Sequence, residues 1–172
     1  MNASHYSQKM TTVIVSAEGV YLAENDYIVR ELSIYFCETK TVQHFTFDPP
    51  QRELSGTEKR TNFYVRNILH GLGVYDIIPG SREYSASTKI VTALGNYQIL
   101  CVGNVAYAWL KTILPYGNII NIQNKTDFSY PKNLPRMCCG INHNSRYCAL
   151  SKLWTVVFYF MFSGKSEFFN FM

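Results

Sequence analysis

The fold is decided by residues 11–50, TTVIVSAEGVYLAENDYIVRELSIYFCETKTVQHFTFDPP. Thr11 to Val15 is β-branched and apolar, which reads as a buried strand. Glu18-Gly19 interrupts it. Tyr27 to Cys37 reads as a longer strand. Thr41 to Phe47 sets Val42, Phe45 and Phe47 against polar neighbours, the alternation of a half-buried strand. These two make a hairpin around Glu38-Thr39-Lys40, and Asp48-Pro49-Pro50 ends it.

Beyond this meander the pattern changes. Residues 51–62 (QRELSGTEKRTN) read as a polar loop. Phe63, Val65, Ile68 and Leu69 recur at helical spacing, with Gly71 or Gly73 as the stop. Ser87 caps a helix whose face carries Ile90, Val91 and Leu94. Gln98 to Val102 is a short apolar strand. Val105 to Ile113 is a helix stopped by Pro115, and Gly117 to Ile122 is another strand. A Pro-punctuated stretch leads to a cysteine-rich loop. The last helix runs from about Ser145 to Phe162, apolar nearly all round and therefore expected to be buried. The order β-β-β-α-α-β-α-β-α predicts an α/β fold: a mixed sheet with helices on both faces. We expect one domain over 11–163, a flexible N-terminus at 1–10 and a tail at 164–172.

Length and composition agree. A chain of 172 residues, 47% hydrophobic and 15% aromatic, can build one sizeable core and is not a disordered sequence. The longest apolar run, Val156 to Phe162, is far below the roughly 18 residues of a membrane span. MNASHYSQKMTTVIVS has no apolar core of a signal peptide. These features predict an intracellular protein, cytoplasmic or perinuclear, with no membrane partner. The charge is uneven. Residues 1–100 carry 9 Lys/Arg and 10 Asp/Glu, whereas residues 101–172 carry 7 and 2. A basic C-terminal part suits a phosphate-bearing partner. Lys111, Lys125, Lys132, Arg136 and Arg146 are its candidate contacts. The competing reading is ordinary solubilising charge.

There are five cysteines: Cys37, Cys101, Cys138, Cys139 and Cys148. An odd count without a signal peptide points to thiols or a metal rather than a disulfide scaffold. MCCGINHNSRYCAL, residues 137–150, places two Cys and a His in a loop and a Cys at a helix start. Such a set can surround one tetrahedral Zn²⁺, with a fourth ligand from elsewhere. Glu31 is a carboxylate inside an apolar strand and needs a partner, either a metal or a cation such as Arg30 or Arg146. Cys37 and Cys101 read as plain core. His70, at a helix end, reads as a cap for carbonyls.

Two family resemblances follow. The strand Val13–Gly19, the segment Val102–Leu110 and His143 with Cys148 resemble the three motifs of the DEDDh exonucleases, a ribonuclease-H-like family. Ser16, Ala108 and Cys148 stand where that family has Asp, and Glu18 remains. Two-metal cleavage needs hard oxygen ligands, and these residues do not supply them. A closer resemblance is to the Maelstrom domain, a ribonuclease-H-like fold lacking the exonuclease acids and holding a Glu-Cys-His-Cys zinc site. It rests on Cys139, His143 and Cys148-Ala149-Leu150, on Val13–Ala17 and Tyr27–Ile34, and on His44–Pro49. The resemblance implies zinc ligands Glu31, Cys139, His143 and Cys148. The Cys-to-His spacing is one residue longer than the family's, so Cys138 competes with Cys139, and Glu18 is the alternative carboxylate. The family's usual HMG box is not expected here, since the ten residues before Thr11 do not hold one. The resemblance implies a catalytically degenerate, zinc-stabilised module that binds RNA or protein, in small-RNA (piRNA) transposon silencing. The alternatives are a single-strand RNA endonuclease and a structural protein without ligand.

Overall fold

The computed structural model describes residues 11–23, 26–137, 139, 141 and 143–163. The expected terminal segments, 1–10 and 164–172, lie outside the described residues. Strands β1 (Thr12–Ala23), β2 (Asp26–Phe36) and β3 (Thr41–Thr46) form the antiparallel meander. Strand β4 (Gln98–Cys101) returns parallel to β1, and β5 (Ile119–Asn121) runs parallel to β4. The five-stranded mixed sheet has the order β3-β2-β1-β4-β5.

Helices cover both faces, as alternation along the strands requires. Val13, Val15, Leu32, Ile34, Ile99 and Cys101 point to one side. There they meet Val91 of α2 (Ala86–Thr92) and Ala106, Trp109 and Leu110 of α3 (Asn104–Ile113). Ile14, Tyr35 and Leu100 point to the other side, against Leu153, Val156, Val157 and Phe160 of α4 (Ala149–Phe162).

Glu18-Gly19 does not end β1. The pairing steps from Glu18↔Glu31 to Gly19↔Val29, so Arg30 is an extra residue in β2 and the strands continue past a bulge. Gly19 is required by close approach: a Cβ there would lie 2.0 Å from the Ile28 carbonyl oxygen. Arg30 is fully buried and donates to the carbonyls of Phe47, Gly73, Val74 and Asp76. It clamps the 73–76 loop and is not the partner of Glu31.

Several expectations change. The polar loop contains a helix, α1 (Gly56–Tyr64), nucleated by a capping box. The Glu58 amide donates to Ser55 Oγ at 3.3 Å, and the Ser55 amide donates to the Glu58 carboxylate at 2.7 Å. It runs into a π-helical turn, Val65–His70, which Gly71 ends at φ 80°. Phe63 and Ile68 point outward there, so their spacing marks no buried face. Helix α4 begins at Ala149, with a 3₁₀ turn at Ser145–Tyr147 and Cys148 as the capping residue between them. Its C-terminal residues Phe158, Met161 and Phe162 are exposed, so the helix is not buried all round. Ser85 precedes α2, and Ser87 lies inside it, with Oγ donating to the Tyr84 carbonyl at 2.8 Å.

Candidate metal centre

The face under α4 is apolar only in part. Residues directly opposite in an antiparallel pair share a face. The register therefore brings Glu18 beside Glu31 and Ser16 beside Ser33, with His44 beside Ser33 on β3. Two carboxylates facing one another on a covered sheet demand positive partners. The structure supplies a different one to each.

Glu18 pairs with Lys152, in the first half of α4. Burial and the neighbouring Glu31 raise its carboxyl to about 7, against the opposing pull of Lys152. Glu31 is fully buried and reaches the N-terminus of α4, where the Ala149 amide donates to its Oε2 at 3.2 Å. A helix N-terminus favours a carboxylate there. Its other oxygen, Oε1, lies 2.6 Å from His143 Nε2.

The loop before α4 completes the group. His143 Nδ1 lies 3.2 Å from the Ile141 carbonyl, which fixes the ring and turns Nε2 inward. Cys139 Sγ lies 3.8 Å from His143 Nδ1, and Cys148 sits buried at the helix cap. One donor atom from each of Glu31, Cys139, His143 and Cys148 lies within 4.8 Å of every other. A tetrahedral ion with bonds of about 2.0–2.3 Å holds its ligands roughly 3.3–3.8 Å apart, so the widest separations must close by about 1 Å and the 2.6 Å Glu31–His143 pair must open.

The electrostatics ask for a cation. Burial works against a charged His143, yet the Cys148 thiolate and the Glu31 carboxylate overcome it and lift the imidazole to about 10. Burial works against a Cys148 thiolate, and the neighbouring His143 imidazole brings that thiol below its ordinary value. Burial and the neighbouring Cys148 push the Cys139 thiol up to about 12. Glu31 Oε1 and His143 Nε2 are both buried without an aligned hydrogen bond, although they are 2.6 Å apart. Two orphaned donor atoms beside two sulfurs fit a metal ion in their midst. The group can bind a metal ion.

The four ligands implied by resemblance thus converge, and Glu18 is a neighbour of the group. Cys138 lies outside the described residues. Sequence reasoning missed three contacts. His70 does not cap carbonyls: its ring lies 5.4 Å from that of His143 and 5.9 Å from that of Tyr147. Neither of its nitrogens has a hydrogen-bond partner among the described residues, and burial lowers it to about 4, so the ring is neutral. Ser33 Oγ lies 2.8 Å from His44 Nδ1. Lys152 neutralises Glu18. Only the strand register could have revealed the last, because it sets two carboxylates side by side.

Beside the metal group lies a cavity of about 420 Å³ lined by Glu18, Tyr27, His70, Asn104, Tyr147 and Lys152, among others. A second, of about 390 Å³, shares Tyr21, Tyr27, Asn104 and Val105 with it and extends along α3 past Ala108 and Trp109. Glu18 and Ala108 therefore line adjoining cavities, while Cys148 belongs to the metal group. Of the candidate basic contacts, Lys125, Lys132, Arg136 and Arg146 are exposed. Lys111 is half-buried near the C-terminus of α3 and donates to the carbonyls of Gly117 at 2.9 Å and Pro115 at 3.4 Å. No helix among the described residues is long and apolar enough to cross a membrane. No protein-family model matches the chain, and no curated protein matches it in sequence.

Proposed function

We propose that this is a catalytically degenerate ribonuclease-H-like domain of the Maelstrom type, that a structural zinc ion stabilises it, and that it binds single-stranded RNA. The observation that carries this reading is the Glu31–Cys139–His143–Cys148 group at the junction of β2, the 139–148 loop and α4. Two thiolates, an imidazole and one carboxylate suit Zn²⁺ and not a pair of Mg²⁺ ions. Ser16 and Ala108 offer no carboxylate to a second ion. The order of elements and the mixed sheet are those expected of such a fold. The ion would be held by these four side chains, and it would tie β2 to the start of α4.

RNA is favoured by the excess of basic over acidic residues in 101–172 and by the exposed Lys132 and Arg136. Phosphate contacts dominate non-specific binding and make it salt-dependent. The test is retention of single-stranded RNA at two salt concentrations. Binding should weaken steeply with salt, and reversing the charge of Lys132 and Arg136 together should reduce the slope by about two. Retention of RNA unchanged by that double variant at low salt would point to a protein partner or to none. Metal-dependent cleavage of the RNA by pure protein would support the endonuclease alternative.

A further inference from the structure

The metal group and the cleft share their supports. The loop that carries His143 and Cys148 also holds the π-helical turn in place. The Asn144 amide donates to the His70 carbonyl at 3.1 Å, and Asn144 Nδ2 donates to the Leu69 carbonyl at 3.3 Å. Gly71 comes so near that a Cβ there would lie 3.4 Å from His143 Cα. Leu69, His70, Tyr147 and Lys152 in turn line the larger cavity. A change at the metal group therefore reaches one wall of the cleft through two or three contacts.

The group also contains the one pair of described thiols placed to react together. Cys139 and Cys148 are free, and their sulfurs fall within the 4.8 Å group. Cys139 is half-buried on a loop, so small reagents can reach it and its backbone can follow. Cys37 and Cys101 are buried in different clusters on opposite faces of the sheet, and burial pushes each thiol up to about 12. The sheet separates them from one another.

We propose that Cys139 and Cys148 form a peroxide-sensitive latch on the cleft: their oxidation to a disulfide releases the metal and frees the 65–71 turn. This rests on the metal reading above. Ligation to the metal would hold both sulfurs as thiolates; the Cys139 thiolate attacks a hydroperoxide oxygen and breaks the O–O bond, giving a sulfenic acid and an alcohol or water. The Cys148 thiolate then attacks the sulfenic sulfur, forms the S–S bond and expels hydroxide, which a proton converts to water. Two electrons pass from the sulfurs to the peroxide, and two protons are taken up from solvent. Glu31 and His143 are left without the two sulfur partners that completed the set, so the ion is lost. The 143–148 segment that pins His70 and Leu69 then loses its anchor.

The experiment uses the full chain loaded with zinc, its metal content measured first. Addition of one equivalent of hydrogen peroxide should release one equivalent of zinc. Non-reducing peptide mapping should find a Cys139–Cys148 disulfide. Amide exchange should accelerate across residues 65–71, and a thiol reductant with zinc should reverse all three changes. Zinc retained with both thiols intact, a disulfide through Cys138 instead, or unchanged exchange at 65–71 would overturn the latch. A chain that holds no zinc before peroxide is added overturns the metal reading and the latch together, and the first assay tells that failure from the others.

Discussion

The two faces of one sheet are built on opposite rules. Under α2 and α3, the central strand positions turned inward are apolar, Val13, Val15, Leu32, Ile34, Ile99 and Cys101, and Asn121 at the end of β5 is a buried polar exception that bonds to Asn104 of α3. Under α4, Ile14, Tyr35 and Leu100 do the same work at one end, and Ser16, Glu18, Glu31, Ser33 and His44 replace them toward the other. Hydrophobic burial accounts for the first face. The second bears the cost of desolvating two carboxylates, and a fold tolerates that only where partners return the lost interactions. Lys152 answers Glu18, and the cysteine–histidine loop answers Glu31. A polar stripe on a covered face is therefore the mark of a site, whereas a largely apolar face is the mark of a support.

This contrast is most easily broken at Cys148. Cys148→Ser should cost about 3–5 kcal/mol, as loss of one member of a buried charged group does, and should abolish metal binding. Leu110→Ala, on the other face, should cost a similar 2–5 kcal/mol through its cavity yet leave metal content unchanged. Chemical denaturation with and without a chelator separates them: the chelator should destabilise the Leu110→Ala protein and leave Cys148→Ser unaffected. Equal chelator sensitivity in both would mean that the two faces do not differ in this way.

A smaller effect sharpens the comparison. Glu18 has its carboxyl raised from 4.5 in a free chain to about 7 in the fold. Between these values the native state holds the proton that the unfolded state has released, so stability falls as pH rises from 4.5 to 7. Glu18→Gln should flatten that part of the stability–pH curve by about 2–3 kcal/mol. An unaltered slope would show that Lys152 keeps Glu18 ionised throughout.

Most of the fold was legible because periodicity is local. The β-branched run at Val13–Val15, the alternation at Thr41–Phe47 and the apolar helix after Cys148 each announce their own structure. What escaped depended on partners. The bulge at Arg30 exists because that side chain reaches carbonyls 43 to 46 residues away. Helix α1 was hidden by its polar composition, although Ser55 and Glu58 carry the capping-box spacing. The metal group was legible only as a cysteine–histidine cluster. Glu31 joins it through a contact 112 residues apart in sequence, between positions 31 and 143, which no local pattern encodes. His70 was misread for the same reason: its neighbours His143 and Tyr147 come from the far end of the chain.

A metal ion held by Glu31, Cys139, His143 and Cys148 would tie the sheet to α4. Elemental analysis of the chain purified without added metal, paired with its melting temperature before and after chelation, tests it most directly. One zinc per chain is expected, with a fall in melting temperature on chelation that added zinc restores, because structural zinc contributes folding free energy. A chain that carries no metal and melts at the same temperature with and without chelator would contradict it.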